Sequence, residues 1–414
     1  MLDLESIRAR FPALSREQGG RPVVIVDAPG GSQVPDTVIE AVSGHLRSSL
    51  SNSGGGFATS RETDAVVTAA REAAADLVGA DPGEIVFGPN STSLLFHLSH
   101  AFARTLRPGD EVVVTRLDHD ANIRPWVRSA QDAGATVRWV EMNTDDATID
   151  GPSFDAALSD RTRLVAFTLA SNGVGTIPPA ADLAARAKAT SAVVVVDGVH
   201  LAQHRAIDFR ALGVDVLAVS PYKVFGPHLG MLAVRHEILD AWDPSRVRPA
   251  DDYTGPERWE TGTQNHEGLA GLAAAVEYLA DCGRVYGTPV DGTRRAAITA
   301  AFAEFRLHER ALAQRFLDGV TEIPAARLYG IADPARIDER TPTFAVRLGD
   351  QDPRKTAEAL GDQGVFVWDG HYYAMELFQA LGLLDSGGAV RIGFCHYHSL
   401  SEVDRVLETL AELT

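Results

Sequence analysis

Between about residues 63 and 235 two apolar rhythms take turns along the chain. TDAVVTAAREAAADLVGA (63–80) spaces Val, Ala and Leu three and four positions apart, the period of an amphipathic helix. DPGEIVFGP then gives a short strand entering a turn, and STSLLFHLSHAFARTL (91–106) is helical again. EVVVTR (111–116) predicts a strand and NIRPWVRSAQDAG (122–134) a helix. TVRWVEM, TRLVAFTLAS, AVVVVD and VDVLAVS follow as short apolar runs, separated by helix-like segments such as PAADLAARAKAT. Apolar runs without alternation predict strands buried on both faces. Strand and helix in this order predict an α/β fold with a mostly parallel sheet wrapped by helices.

The last third has another rhythm. DGTRRAAITAAFAEFRLHERALAQRFLDGV predicts one long helix, followed by TFAVRL, a helix, GVFVW, AVRIGF and a closing helix, SLSEVDRVLETLAEL. This predicts a smaller α+β domain docked by the long helix. The expected division is a large domain over 25–291 and a small domain of 1–24 with 292–414.

Composition narrows the partners. Acidic residues outnumber basic ones by 56 to 38 over 414 residues, a formal charge of −18. Such a surface repels phosphate backbones and anionic bilayers, which argues against nucleic acid or membrane as partner. An anionic ligand must instead meet a local positive site. Two cysteines, Cys282 and Cys395, make neither a disulfide framework nor a zinc pattern, and no metal site is expected. The polar N-terminus lacks an apolar signal core, and AVVVVD is far too short to span a bilayer, so a cytoplasmic protein is expected.

Ligands of open parallel sheets bind beyond the carboxyl ends of the strands. AVVVV ends in Asp197, with His200 three residues on, and VDVLAVS ends in Ser220, with Lys223 three residues on. EVVVTR leads into His119 and Asn122, TRLVAFTLAS into Asn172, and EIVFGP into Ser91 and Thr92 at a helix start. Taken singly, the hydroxyls fit a helix N-cap, the aspartate a turn and the lysine a solvated loop. Together, an anion site at a helix N-terminus, a buried carboxylate and a lysine are the parts that hold pyridoxal phosphate. The lysine amine forms an imine with the cofactor aldehyde, and the aspartate keeps the pyridine nitrogen protonated.

DGVHLAQHRAIDFRALGVDVLAVSPYKVFGPHLG resembles the lysine region of the class V aminotransferase family, fold type I enzymes that include cysteine desulfurases, kynureninase and isopenicillin epimerase. The resemblance runs from FPAL and VVIVDAPGGSQVP through GPNSTS, LDHDANIRPW, ASNGVGTIPP and WETGTQNHEG to AVRIGF, and is nearest to the desulfurase-like members. It implies Lys223 as the Schiff-base lysine and Asp197 as the partner of the pyridine nitrogen. It implies that His119 stacks on the ring and assists proton transfer, and that Ser91, Thr92 and Ser220 bind phosphate. Asn172 would lie near the ring hydroxyl or the substrate carboxylate. Thr263 would reach the phosphate of a neighbouring subunit, which implies a homodimer. Arg391 would grip a substrate α-carboxylate as a bidentate fork.

This chain also departs from the family. Desulfurases often have Gln where it has His200 and His where it has Tyr222; here these would face the ring hydroxyl and the phosphate. In the related desulfurases the loop matching WDGHYYAMELF (368–378) carries the cysteine that attacks sulfur, and this chain has Tyr373 there. A phenol cannot form a persulfide, because the attacking group must be a thiolate. The expected enzyme therefore acts on an amino acid or related amine through an external aldimine and quinonoid, with β-elimination, a C–S lyase-like reaction, favoured. Transamination, epimerisation, desulfuration through Cys395 and cofactor binding without catalysis stay open. His371, Tyr372 and Tyr373 would line the substrate entrance, where a tyrosine can donate a proton to a leaving group.

Overall fold

A computed structural model describes residues 2–48 and 50–414. Its main sheet has seven strands: β1 (Ile85–Gly88), β2 (Glu111–Thr115), β3 (Thr136–Val140), β4 (Thr162–Thr168), β5 (Val193–Asp197), β6 (Val216–Val219) and β7 (Gly230–Val234). Their spatial order is β1-β7-β6-β5-β4-β2-β3. β2 to β6 run parallel to one another, and β7 runs antiparallel between β6 and β1. The mostly parallel α/β sheet is thus as expected.

Successive side chains of a strand face opposite sides, so each apolar run feeds two cores. Val194, Val196, Leu217 and Val219 pack on one side with Leu272, Val276 and Phe305. Val195, Ala218, Val112 and Val114 pack on the other with Leu94, Leu98 and Trp126. The edge strand β3 differs from the expectation for TVRWVEM. Thr136 and Arg138 are exposed, because among the described residues no strand covers that edge, and Arg138 reaches Glu111 at 2.9 Å.

The second sheet holds β8 (Ala326–Tyr329), β9 (Thr343–Leu348), β10 (Trp368–Gly370) and β11 (Ala389–Gly393), in the order β8-β9-β11-β10. GVFVW is two pieces rather than one strand. Val365–Phe366 pairs in parallel with Val24–Ile25, and Trp368–Gly370 with β11. One 27-residue helix, Arg294–Val320, joins the two cores. Its Phe302 and Phe305 pack with the large sheet, and its Leu312 and Phe316 with the small one. The N-terminal residues divide likewise: Ile7 and Phe11 join the first core, Val24 and Val26 the second. Among the described residues no helix is long and apolar enough to cross a membrane.

Candidate active site

The carboxyl ends of β2, β4, β5 and β6 open on one edge of the sheet, and the loops after them converge there. Lys223 ends a short 3-10 turn, Pro221–Lys223, directly after β6. Phe225, two residues on, takes a left-handed backbone (φ 62°); its N–H donates to Ser32 Oγ at 2.8 Å and its ring is fully buried. The turn is pinned from below, and the lysine is only 7 % exposed. Burial, with Arg391 nearby, lowers the Lys223 ammonium to about 8, against the opposing pull of Asp197 and Asp27. The amine is therefore neutral far more readily than a surface lysine.

Asp197 is buried at the end of β5. Burial raises its pKa, while the Val199 N–H, donating at 2.8 Å, and Lys223 pull it down. His119 accepts the Ala121 N–H at Nδ1 (3.0 Å), which leaves the proton on Nε2. Burial, then Lys223 and Arg391, hold this imidazole neutral, down to about 3. Ser91 Oγ donates to the Val219 carbonyl at 2.7 Å and lies 2.8 Å from Ser220 Oγ. The helix that Ser91 opens, Ser91–Ala103, is capped by Asn90, whose Oδ1 accepts the Ser93 N–H.

A recess of about 60 Å³ is lined by Ser91, Thr92, His119, Asn172, Asp197, His200, Ser220, Tyr222 and Lys223. An outer cavity of about 570 Å³ shares Thr92, His119, Asn172, Tyr222 and Lys223 with it and adds Tyr372, Tyr373 and Arg391. Nearly every residue named in advance meets here. Two do not. Thr263 lines a separate cavity of about 680 Å³ with His97, His228 and Trp259. His371 stands behind its loop, where Nδ1 accepts the Tyr373 N–H at 3.2 Å.

The Aminotransferase class-V model matches residues 24–285 and 295–406. The chain belongs to that family. An uncharacterized protein of Mycobacterium tuberculosis is 32 % identical to it over 415 residues, 99 % of each chain. A cysteine desulfurase of Pectobacterium atrosepticum is 29 % identical over 425 residues, covering 99 % of this chain and 98 % of that one. Among solved structures, the apo cysteine desulfurase of Thermococcus onnurineus superposes with a TM-score of 0.88 at 26 % identity, covering 100 % of this chain and 98 % of the other. The cysteine desulfurase CsdA of Escherichia coli, in its S-sulfonic acid form, gives 0.83 at 27 %, covering 100 % and 99 %.

Class V aminotransferases are pyridoxal 5′-phosphate enzymes, and the recess fits that cofactor. Two polar atoms buried in its wall, His200 Nδ1 and Asn172 Oδ1, have no partner within the chain, an arrangement that is costly without a ligand. Ser91, Thr92 and Ser220 with the helix N-terminus would cradle the phosphate, Asp197 would face the ring nitrogen, and Lys223 would offer the amine. Gly230 lets that cradle form: a Cβ there would stand 2.2 Å from the Asn90 carbonyl carbon and 2.5 Å from the Ser91 nitrogen. We expect Gly230→Ala to push the helix start off β7. It should cost about 1–3 kcal/mol of stability and weaken cofactor uptake, read as absorbance on titration with pyridoxal phosphate.

The sequence reading missed several residues. Asp118 is wholly buried, and burial raises its carboxyl to about 8. It accepts the Thr115 hydroxyl and, at 2.7 Å, Asn122 Nδ2, while Asn122 Oδ1 accepts Trp126 Nε1. Asn122 is thus a brace for the His119 loop and lines neither cavity. Asp27, at the end of VVIVD, holds Arg391 Nη2 at 2.8 Å, and Arg391 Nη1 donates to the Asn172 carbonyl at 3.2 Å. Only the buried Nε of Arg391 has no partner, so the bidentate fork expected from the sequence is already engaged. A strand-like run ending in Asp was the available signal, but its arginine lies 364 residues away.

Proposed function

We propose that the protein carries out β-elimination on an amino acid. A substrate X–CH2–CH(NH3+)–COO− and water give HX, pyruvate and ammonium. The observation that carries this reading is the absence of a thiol from the site. Both cysteines are buried, neither lines the cavity around Lys223, and burial pushes the Cys395 thiol well up. A protonated thiol away from the substrate is no sulfur acceptor. The loop beside the cavity offers the phenol of Tyr373 instead.

When bound, pyridoxal phosphate supplies an aldehyde that captures the substrate amine and a ring that takes up the electron pair left on Cα. Lys223, with its amine easily neutral, takes the Cα proton. Asp197, buried at the end of its strand, would face the ring nitrogen and hold a proton there. Arg391 would orient the carboxylate as Asp27 yields its hold on the guanidinium, and Asn172 Oδ1 would accept the ring hydroxyl. His119, neutral and fixed by Ala121, carries its proton on Nε2 and would serve as a hydrogen-bond donor beside Lys223. Tyr373 Oη is a proton donor for the departing X−, so HX leaves neutral.

The working unit in this reading is a homodimer, with Thr263 serving the phosphate of a second copy. Leu50, Phe57, Val247 and Tyr253, large and exposed, supply apolar surface for such a contact.

The test is product analysis with cysteine and other β-substituted amino acids. Pyruvate and ammonium in equal amounts support elimination; alanine with transferred sulfur supports a desulfurase and contradicts it. Cys395→Ala should keep the rate within about threefold, because Cys395 packs in the core rather than at the substrate. A loss above tenfold in a variant that melts as a folded protein would restore the sulfur route.

A further inference from the structure

The substrate's side chain has its own surface in this site. The outer cavity of about 570 Å³ puts its polar groups, Lys223, Asn172, Arg391 and Asp27, beside Phe96, Tyr222, Trp368 and Tyr373. Trp368 is 55 % exposed and Tyr373 68 %, both on the rim of this cavity. Exposed aromatic rings grouped around one cavity mark a ligand surface. The charged residues of the lining outside that polar set pair with each other: Arg124 Nε lies 3.7 Å from Asp120 Oδ2.

The backbone that presents Tyr373 is strained. Tyr372 and Tyr373 both take left-handed conformations, at φ 49° and 59°, which bulky residues rarely adopt. The surroundings enforce this. Asn172 Nδ2 donates to the Tyr372 carbonyl at 2.9 Å, the Asp120 N–H donates to the Tyr373 carbonyl at 2.7 Å, and the Tyr372 hydroxyl donates to the Ala389 carbonyl. The outcome is that the Tyr373 ring lies over His119 with centroids 5.6 Å apart and planes 25° apart. A strained pair that a glycine would relieve, yet that carries two tyrosines, points to a use for the rings.

We propose that the substrate is an amino acid whose β-substituent ends in an aromatic ring, seated between Tyr373, Trp368 and Phe96. This rests on the amino-acid reading above and names the side chain that reading leaves open. A short polar side chain such as that of cysteine would leave these rings in water, whereas an aryl group stacks on them and is shielded. In the elimination the departing group is then the aryl-bearing one: the Cβ–X bond breaks, X keeps the electron pair, and it leaves as HX.

The test is binding of L-alanine, L-cysteine, L-phenylalanine and S-phenyl-L-cysteine to the holoenzyme by calorimetry, alongside the visible spectrum. The two phenyl compounds should bind at least about tenfold more tightly than alanine, as two aromatic contacts would give. Tyr373→Gly suits the left-handed backbone and so keeps the fold. It and Trp368→Ala should each shrink that gap severalfold, and Trp368→Ala should leave the alanine affinity within about twofold. Alanine binding as tightly as the phenyl compounds, or a gap unchanged in both variants, overturns the aryl proposal and leaves the amino-acid reading intact. No binding and no spectral response to any of the four overturns both.

Discussion

Lys223→Ala abolishes turnover, by at least about 10³-fold, and leaves a folded protein. The size follows from the two jobs the amine would do, since general base catalysis alone contributes about 10²–10⁴-fold. The stability expectation follows from titration. In the folded chain burial brings the ammonium down to about 8, against 10.5 for an ordinary lysine. The unfolded chain holds that proton more tightly, so charging the buried lysine opposes folding fully below about pH 8, and the effect fades as pH rises toward 10.5. The alanine variant is therefore as stable as the parent or more so at pH 7, and the parent gains on it between pH 8 and 10.5. Steady-state turnover and thermal melts across that range check both. A variant that loses activity only because it unfolds at pH 7 contradicts the assignment.

Arg391→Gln is the second large effect. It removes a charge-assisted donor for the α-carboxylate, worth about 1.5–3 kcal/mol, or roughly 10- to 100-fold in apparent KM, with a smaller change in kcat. It also strands Asp27, whose carboxylate now accepts Arg391 Nη2 at 2.8 Å, so the melting temperature falls too. Asp27→Asn separates the two effects. The asparagine competes less for the guanidinium, frees the fork for a substrate carboxylate and lowers KM. If Asp27→Asn raises KM as much as Arg391→Gln does, the pair acts only as a structural clamp and the carboxylate binds elsewhere.

What the sequence made legible was local. Val193–Asp197 and Val216–Val219 are apolar without alternation because they lie buried inside the sheet, and the residues after them fall at its carboxyl edge by geometry alone. That placed Asp197, His200, Ser220 and Lys223 together before any coordinates. The edge strand Thr136–Val140 misled for the complementary reason: an apolar run with charges in it reads the same whether or not a neighbour covers it. The pairing of Asp27 with Arg391 and the stacking of Tyr373 on His119 were not legible, because each joins segments hundreds of residues apart. The neutral Asp118 was hidden as well. A carboxyl next to the His119 loop reads as solvated until burial and its Thr115 and Asn122 partners are seen.

Lys223 is the residue expected to bind the cofactor covalently. Borohydride reduction of the holoenzyme, followed by peptide mapping, tests it most directly. A reduced pyridoxyl adduct on the peptide carrying Ser220-Pro221-Tyr222-Lys223, and its absence from Lys223→Ala, is the expected result. An adduct fixed to another lysine, or a protein that takes up cofactor without forming any reducible bond, would contradict it.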